Sequence, residues 1–374
     1  MATSSKSGGL AGVSAGTTAL CTVGKEGAGL TYCGYDIYDL ADHATFEEVA
    51  YLLLKGKLPN REELASYISK LKTLRGLPDT LKDVLERIPA NAHPMDVMRT
   101  GVSFLGNLET EEDYSQQLET ADRLFAVLPS IMCYWYRYSH DGKRIDVETD
   151  DDSLAGHILH MLHDKPAPAL HIDSLSTTLT LYAEHEFNAS TFAARVITAT
   201  LSDMHSAITG AIGALRGPLH GGANEAAMEL IQKFESPEQA THGVLGMLER
   251  KELIMGFGHR VYTTSDPRNE VNKRMSKRLA EEVGDTRLYP VSEAIESVMW
   301  DQKKLFANAD FYAATVYHFM GIPTKLFTPI FVCSRHTGWA AHVMEQRANN
   351  RLIRPAADYN GPDLQAWVPI DERD

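Results

Sequence analysis

Apolar residues recur with a helical period along most of this chain. The pattern is plainest after Pro59, where Leu64, Tyr67, Ile68 and Leu71 fall at i, i+3, i+4 and i+7, the spacing that lines one face of an α-helix. Asn60 can cap that helix, and Glu63 stands three residues later, where a carboxylate closes a capping box. Similar stripes predict helices over 46–56, 79–88, 96–107, 113–137, 153–163, 174–186 and 190–214. They continue over 223–234, 237–250, 267–283, 291–305, 309–320 and 330–349. Strand signals are confined to Ala19–Val23 and Leu30–Tyr32, with the Gly-rich 24–29 able to turn a small N-terminal β-hairpin between them. The expected fold class is all-α.

Glycine and proline punctuate the pattern most heavily at Arg216-Gly-Pro-Leu-His-Gly-Gly222 and at Gly321-Ile-Pro323. The expected division is therefore a small helical domain over 222–321 inserted into a large one made of 1–221 and 322–374. A length of 374 residues is ample for two cores of that size.

Charge narrows the partners. The chain holds 50 acidic and 36 basic residues, and the excess of 50 − 36 = 14 negative charges repels a phosphate backbone or an anionic membrane. Four cysteines, at 21, 33, 133 and 333, form no C-x-x-C pair and read as reduced cytosolic thiols. The uncharged run Ser7–Gly24 has no apolar centre, so it reads as a flexible arm and not as an export signal, and a cytoplasmic location is expected.

Three segments place an ionisable side chain beside glycines or at a helix start. In P-L-H-G-G-A-N-E (218–225), His220 precedes a helix beginning near Ala223, whose positive end would favour the neutral imidazole. In G-F-G-H-R-V-Y (256–262), two glycines allow close approach of a ligand before His259. Asp266-Pro267 then reads as the cap and first residue of a helix, with Arg268 in a first turn whose free N–H groups suit an anion. In N-A-D-F-Y (308–312), Asp310 follows the capping Asn308, and the helix dipole would keep its carboxylate ionised. Taken alone, the first and third segments read more simply as a junction histidine and an N-terminal charge, and the second reads as readily as a Gly-rich turn before a capped helix.

Together and in this order the three segments resemble the citrate synthase family, over Gly34 to Pro362. The resemblance implies a two-domain, mainly helical fold with a catalytic triad at His220, His259 and Asp310. It further implies that His185, in Y-A-E-H-E, and the arginines Arg268, Arg335 (C-S-R) and Arg354 (I-R-P) bind oxaloacetate, with Arg354 supplied to the neighbouring site of a homodimer. Ile254, Met255, Gly256, Phe257 and Gly258 match the loop that binds coenzyme A. Neither a metal nor a tightly bound cofactor is implied, the coenzyme A thioester being a substrate. Thr263 departs from the pattern, many members having lysine there. The stretches 93–103, 134–140, 182–192 and 327–335 are most similar to bacterial members that condense propionyl-CoA, with acetyl-CoA as the alternative substrate.

Two rival readings start from other features. His157, His160 and His163 raise a helical metal-dependent hydrolase, but steps of three residues turn each by about 60° and leave the outer pair roughly 120° apart on the helix. A non-catalytic helical scaffold would keep the three segments apart in space.

Overall fold

A computed structural model describes residues 13–25 and 28–373. Residues 26–27 of the predicted hairpin turn, and the arm up to residue 12, lie outside them. Strands β1 (Cys21–Lys25), β2 (Ala28–Tyr32) and β3 (Tyr35–Asp36) form an antiparallel sheet in that order, with Cys21 opposite Tyr32 and Val23 opposite Leu30. The hairpin is present, and the expected arm is anchored at Thr18 and Ala19. Glu345 accepts hydrogen bonds from the Ala19 N–H at 2.8 Å and the Thr18 hydroxyl at 3.2 Å, fixing the chain just ahead of β1.

The regular elements after the sheet are helices. The sequence-expected elements appear as α2 (Phe46–Lys55), α3 (Arg61–Thr73), α4 (Asp79–Arg87), α5 (Pro94–Leu108), α6 (Gln117–Asp141), α7 (Leu154–His163) and α8 (Ala169–Tyr182), preceded by α1 (Ile37–His43). The short α1 escaped the period because it is seven residues long, although Asp36 caps it by accepting the Tyr38 N–H at 2.8 Å. Asn60 and Glu63 close the capping box expected of α3, and Thr45 and Glu48 close another on α2.

The single stripe at 190–214 is in fact two helices, α9 (Ala189–Thr198) and α10 (Met204–Leu215). Leu201 takes a left-handed φ of 70° between them, and Asp203 accepts the Ser206 N–H at 2.9 Å to start α10. An aspartate that offers its side chain to the backbone competes with helix continuation, and the apolar period cannot register that. The stripe at 174–186 also ends early, at Tyr182, which releases Glu184 and His185 from helical geometry.

The remaining helices are α11 (Ala223–Ile231), α12 (Pro237–Glu249), α13 (Pro267–Val283), α14 (Leu288–Lys303), α15 (Ala309–Phe319) and α16 (Phe327–Ala348). Helices α6 and α16 run through the core, burying Trp135, Phe125, Phe327 and Trp339. Helix α16 passes the end of α8 at backbone range, since a Cβ on Gly338 would lie 2.2 Å from Glu184 Oε2 and 2.4 Å from the Ala183 carbonyl oxygen. The Tyr32 hydroxyl, on β2, lies 3.1 Å from the carbonyls of Thr180 and Glu184, either of which can accept its hydrogen, tying the sheet to the same point. Beyond α16 the chain is irregular and exposed except for one short turn at Ile370–Glu372. Among the described residues, no helix is long and apolar enough to cross a membrane.

Candidate active site

The connection from α8 to α9, the approach to α11 and the loop at 259–261 line a cleft of about 520 Å³ that His185, His220 and His259 face. The loop is stitched to the α15 approach: Gly258 N–H donates to the Phe306 carbonyl at 2.8 Å, and Asn308 N–H to the Gly256 carbonyl at 2.9 Å. Gly256 adopts φ 89°, and a Cβ there would sit 3.0 Å from the Phe311 ring, so this ladder requires glycine. Ile254 is buried beneath, and Phe257 packs on Phe311 at 4.5 Å between ring centroids. The segment expected to bind coenzyme A and the one bearing Asp310 are therefore one unit.

His259 Nδ1 accepts the N–H groups of Val261 at 3.0 Å and Tyr262 at 3.1 Å, so the proton of the neutral ring sits on Nε2. Burial pushes its pKa down to about 4, with help from Arg268. His220 has the opposite tautomer. Its Nε2 receives the Ser190 N–H at 3.2 Å and lies 2.7 Å from the Ser190 hydroxyl, which leaves the proton on Nδ1. Burial, then Arg335, lowers its pKa to about 4 as well.

The expectation that α11 keeps His220 neutral is corrected here: the helix N-terminus that engages the ring belongs to α9, thirty positions earlier. Ser190 was not foreseen, although A-S-T after a capping Asn188 marks a helix start. Trp339 Nε1 donates to the Ser190 hydroxyl at 3.0 Å and fixes it from α16.

His185 lies edge-on to His259 at 5.1 Å and 3.2 Å from the Tyr262 hydroxyl. Burial, Arg268 and Arg335 hold its pKa well below that of a free imidazole. Arg335 is buried, and its Nε donates to the Tyr182 carbonyl at 2.6 Å. Arg268 departs from expectation. Its first-turn N–H and its guanidinium are both taken by Asp266, at 3.1 Å from N, 3.0 Å from Nε and 2.8 Å from Nη2. The helix cap is thus also an ion-pair partner, and it occupies the place read as open to an anion. Burial opposes the Arg268 charge, but Asp266 overrides it and holds the pKa above the ordinary value.

Asp310 receives the Tyr182 hydroxyl at 2.6 Å, and the Asn308 side chain accepts the Asp310 N–H at 3.0 Å as the cap predicts. The dipole argument for a low Asp310 pKa fails, because burial raises it, opposed by Tyr182 and then Arg268. Arg354 is not brought to the cleft by its own chain. It is exposed on the irregular tail and has no hydrogen-bond or ion-pair partner among the described residues. The three histidines at 157, 160 and 163 turn instead to Thr149, Asp151 and the Met320 carbonyl, which removes the metal-hydrolase reading. Convergence of the segments around one cleft removes the scaffold reading.

A sequence model of the family described as "Citrate synthase, C-terminal domain" matches residues 9–356. The 2-methylcitrate synthase of Shewanella oneidensis is 66% identical over 98% of this chain and 97% of its own length. Citrate synthase 2 of Bacillus subtilis is 44% identical over 98% of each. A ternary complex of the Thermoplasma acidophilum citrate synthase with carboxymethyl coenzyme A and oxaloacetate superposes with a TM-score of 0.90, at 32% identity and over 97% of this chain and 98% of that one. A site built by sequence-distant segments in the expected order, on a backbone shared with these enzymes, has one explanation: the chain belongs to the citrate synthase family.

Proposed function

We propose that this enzyme condenses propionyl-CoA with oxaloacetate and water to give 2-methylcitrate and free coenzyme A. The observation that carries the choice of acyl group is the 66% identity to a 2-methylcitrate synthase against 44% to a citrate synthase, each nearly end to end.

Carbon–carbon bond formation at the α-carbon of a thioester needs a base for a weak carbon acid, a donor for the enolate oxygen and an acid for the ketone oxygen. Asp310 takes the α-proton onto its carboxylate. His220, neutral with Nδ1–H available, hydrogen-bonds the thioester carbonyl, and His259 gives its Nε2 proton to the ketone oxygen of oxaloacetate as the new bond forms. Water then cleaves the thioester, releasing coenzyme A and a tricarboxylate. Arg335 and Arg268 bind the dicarboxylate with the guanidinium nitrogens that the Tyr182 carbonyl and Asp266 leave unused, and His185 adds a neutral hydrogen-bonding group. The 254–258 loop holds the coenzyme.

In this reading residues 222–321 form the small domain and the rest the large one, and the enzyme works as a homodimer in the cytoplasm. The exposed tail supports the pairing: Leu352, Tyr359, Trp367 and Ile370 are apolar side chains without cover in one chain, and Arg354 lies among them. On a second copy the tail gains that cover and Arg354 gains an anion.

One methylene in a pocket is worth only about 10–200-fold, so activity on acetyl-CoA is expected beside that on propionyl-CoA. Competition between the two thioesters at fixed oxaloacetate is the test. A higher kcat/KM for propionyl-CoA supports the proposal, and a preference for acetyl-CoA replaces it with citrate synthesis.

A further inference from the structure

Tyr182 ends α8 and is 1% exposed. Its hydroxyl points at the Asp310 Oδ1, 2.6 Å away, with the Ala309 carbonyl more distant at 3.3 Å. A phenol has one proton, and the shorter contact to the charged acceptor takes it. Asp310 Oδ2 accepts no hydrogen bond from the protein among the described residues. Phe331 packs on the Tyr182 ring at 4.5 Å, which holds the ring in place. The main chain of the same residue accepts Arg335 Nε at 2.6 Å.

We propose that Tyr182 is a positioning residue for the condensation, its hydroxyl fixing the Asp310 carboxylate so that Oδ2 faces the α-carbon and keeping that carboxylate free of a proton. The proposal rests on Asp310 being the base. In the step concerned the α-carbon–hydrogen bond breaks, its proton ends on Asp310 Oδ2, and its electron pair passes into the thioester enolate. A proton already on the carboxylate stops that step.

The other charged or titratable groups facing Asp310 do not replace the phenol. Arg268 and Asp266 approach from the start of α13, but they are engaged with each other. Arg335, on α16, spends its Nε on the Tyr182 carbonyl, and Tyr317, on α15 itself, is a neutral phenol. Among these, Tyr182 alone donates a hydrogen to the carboxylate. Its bond takes some basicity from Asp310, but burial drives the group toward the protonated form, and a base that is occupied cannot act. The gain in ionised fraction is largest on the acid side of the profile and fades as the pH rises.

The test is Tyr182→Phe in the full-length enzyme, which keeps the ring and its contact with Phe331. The expected result is a loss of about tenfold in kcat at neutral pH, the size of one charge-assisted hydrogen bond, narrowing toward wild type in alkaline solution as the acid limb of the profile moves up. Oxaloacetate Kd stays unchanged, because Arg335 is held by the backbone. Should the phenylalanine variant fold poorly, replacing Tyr182 by a ring-fluorinated tyrosine, a stronger donor, moves the acid limb to lower pH. Wild-type kcat and an unmoved acid limb in a folded variant overturn the proposal. Asp310→Asn separates the two ideas. If it retains solvent exchange of the α-protons, the assignment of the base is wrong. If it loses exchange while Tyr182→Phe behaves as wild type, only the role of Tyr182 falls.

Discussion

The two walls of the cleft fix a neutral histidine by opposite means. On the helical wall, His220 is held at Nε2 by Ser190, which lies thirty residues away and is itself held by Trp339 from α16. On the loop wall, His259 is held at Nδ1 by the N–H groups of Val261 and Tyr262, two and three residues on. One ring is oriented by tertiary packing and the other by its own turn. Both have their pKa lowered to about 4, and both keep one N–H for the substrate, but on different nitrogens. Tautomers set by N–H donors need no charged partner, so both rings can stay neutral although Arg260 lines the same cleft and Arg268 and Arg335 are buried nearby.

The largest effect expected is that of Asp310→Asn, which removes the proposed base. Steady-state assay should show kcat lower on the order of a thousandfold, with oxaloacetate Kd near that of the wild type. Breaking the Arg268–Asp266 pair comes next. Arg268→Ala leaves Asp266 buried without its counter-charge, held only by the N–H groups of residues 268 and 309, so chemical denaturation should show a loss of about 3–5 kcal/mol, and any folded fraction should have a raised KM for oxaloacetate. Pairs of amide substitutions test the tautomers. Glutamine places its N–H where Nε2 was and asparagine where Nδ1 was. His259→Gln should therefore keep more kcat than His259→Asn, and His220→Asn more than His220→Gln. The same order at both sites would break the contrast between the walls.

Acid should destabilise the enzyme through the same two rings. Each is neutral in the fold and takes up a proton on unfolding below the ordinary histidine value, so this contribution is complete above about pH 6.5 and declines toward about 4. Melting temperatures over that range should fall less steeply in the double variant His220→Gln, His259→Gln. The smallest effect is that of Ser190→Ala, a few-fold in kcat, because the Ser190 N–H still reaches His220 after the hydroxyl is gone.

Local chemistry was legible in the sequence where the partners are close along the chain. The Asn60–Glu63 box and the Asn308 cap are three-residue and two-residue events, and both are formed. Of the residues that the family motifs named, His185, His220 and His259 line one cleft, and Arg354 does not reach it within its own chain. The period failed where a polar side chain competes with helix continuation, as at Asp203. It could not show that α9 delivers its N-terminus to His220, that α8 ends at Tyr182 with its hydroxyl on Asp310, or that Asp266 claims Arg268 before a ligand arrives. Those facts depend on which helix ends meet. Tyr182 stands inside a motif stretch, yet its alternation with apolar neighbours reads only as core.

Gly338 does no chemistry, and replacing a helical glycine by alanine ordinarily favours the helix by about 1 kcal/mol. Here the methyl group would overlap Glu184 and the Ala183 carbonyl, directly ahead of His185. A saturation library should therefore score position 338 as harshly as the site residues. Shortening residue 184 would remove only the carboxylate contact, and the Ala183 carbonyl oxygen would still bar a side chain, so no single substitution at 184 opens position 338 to change.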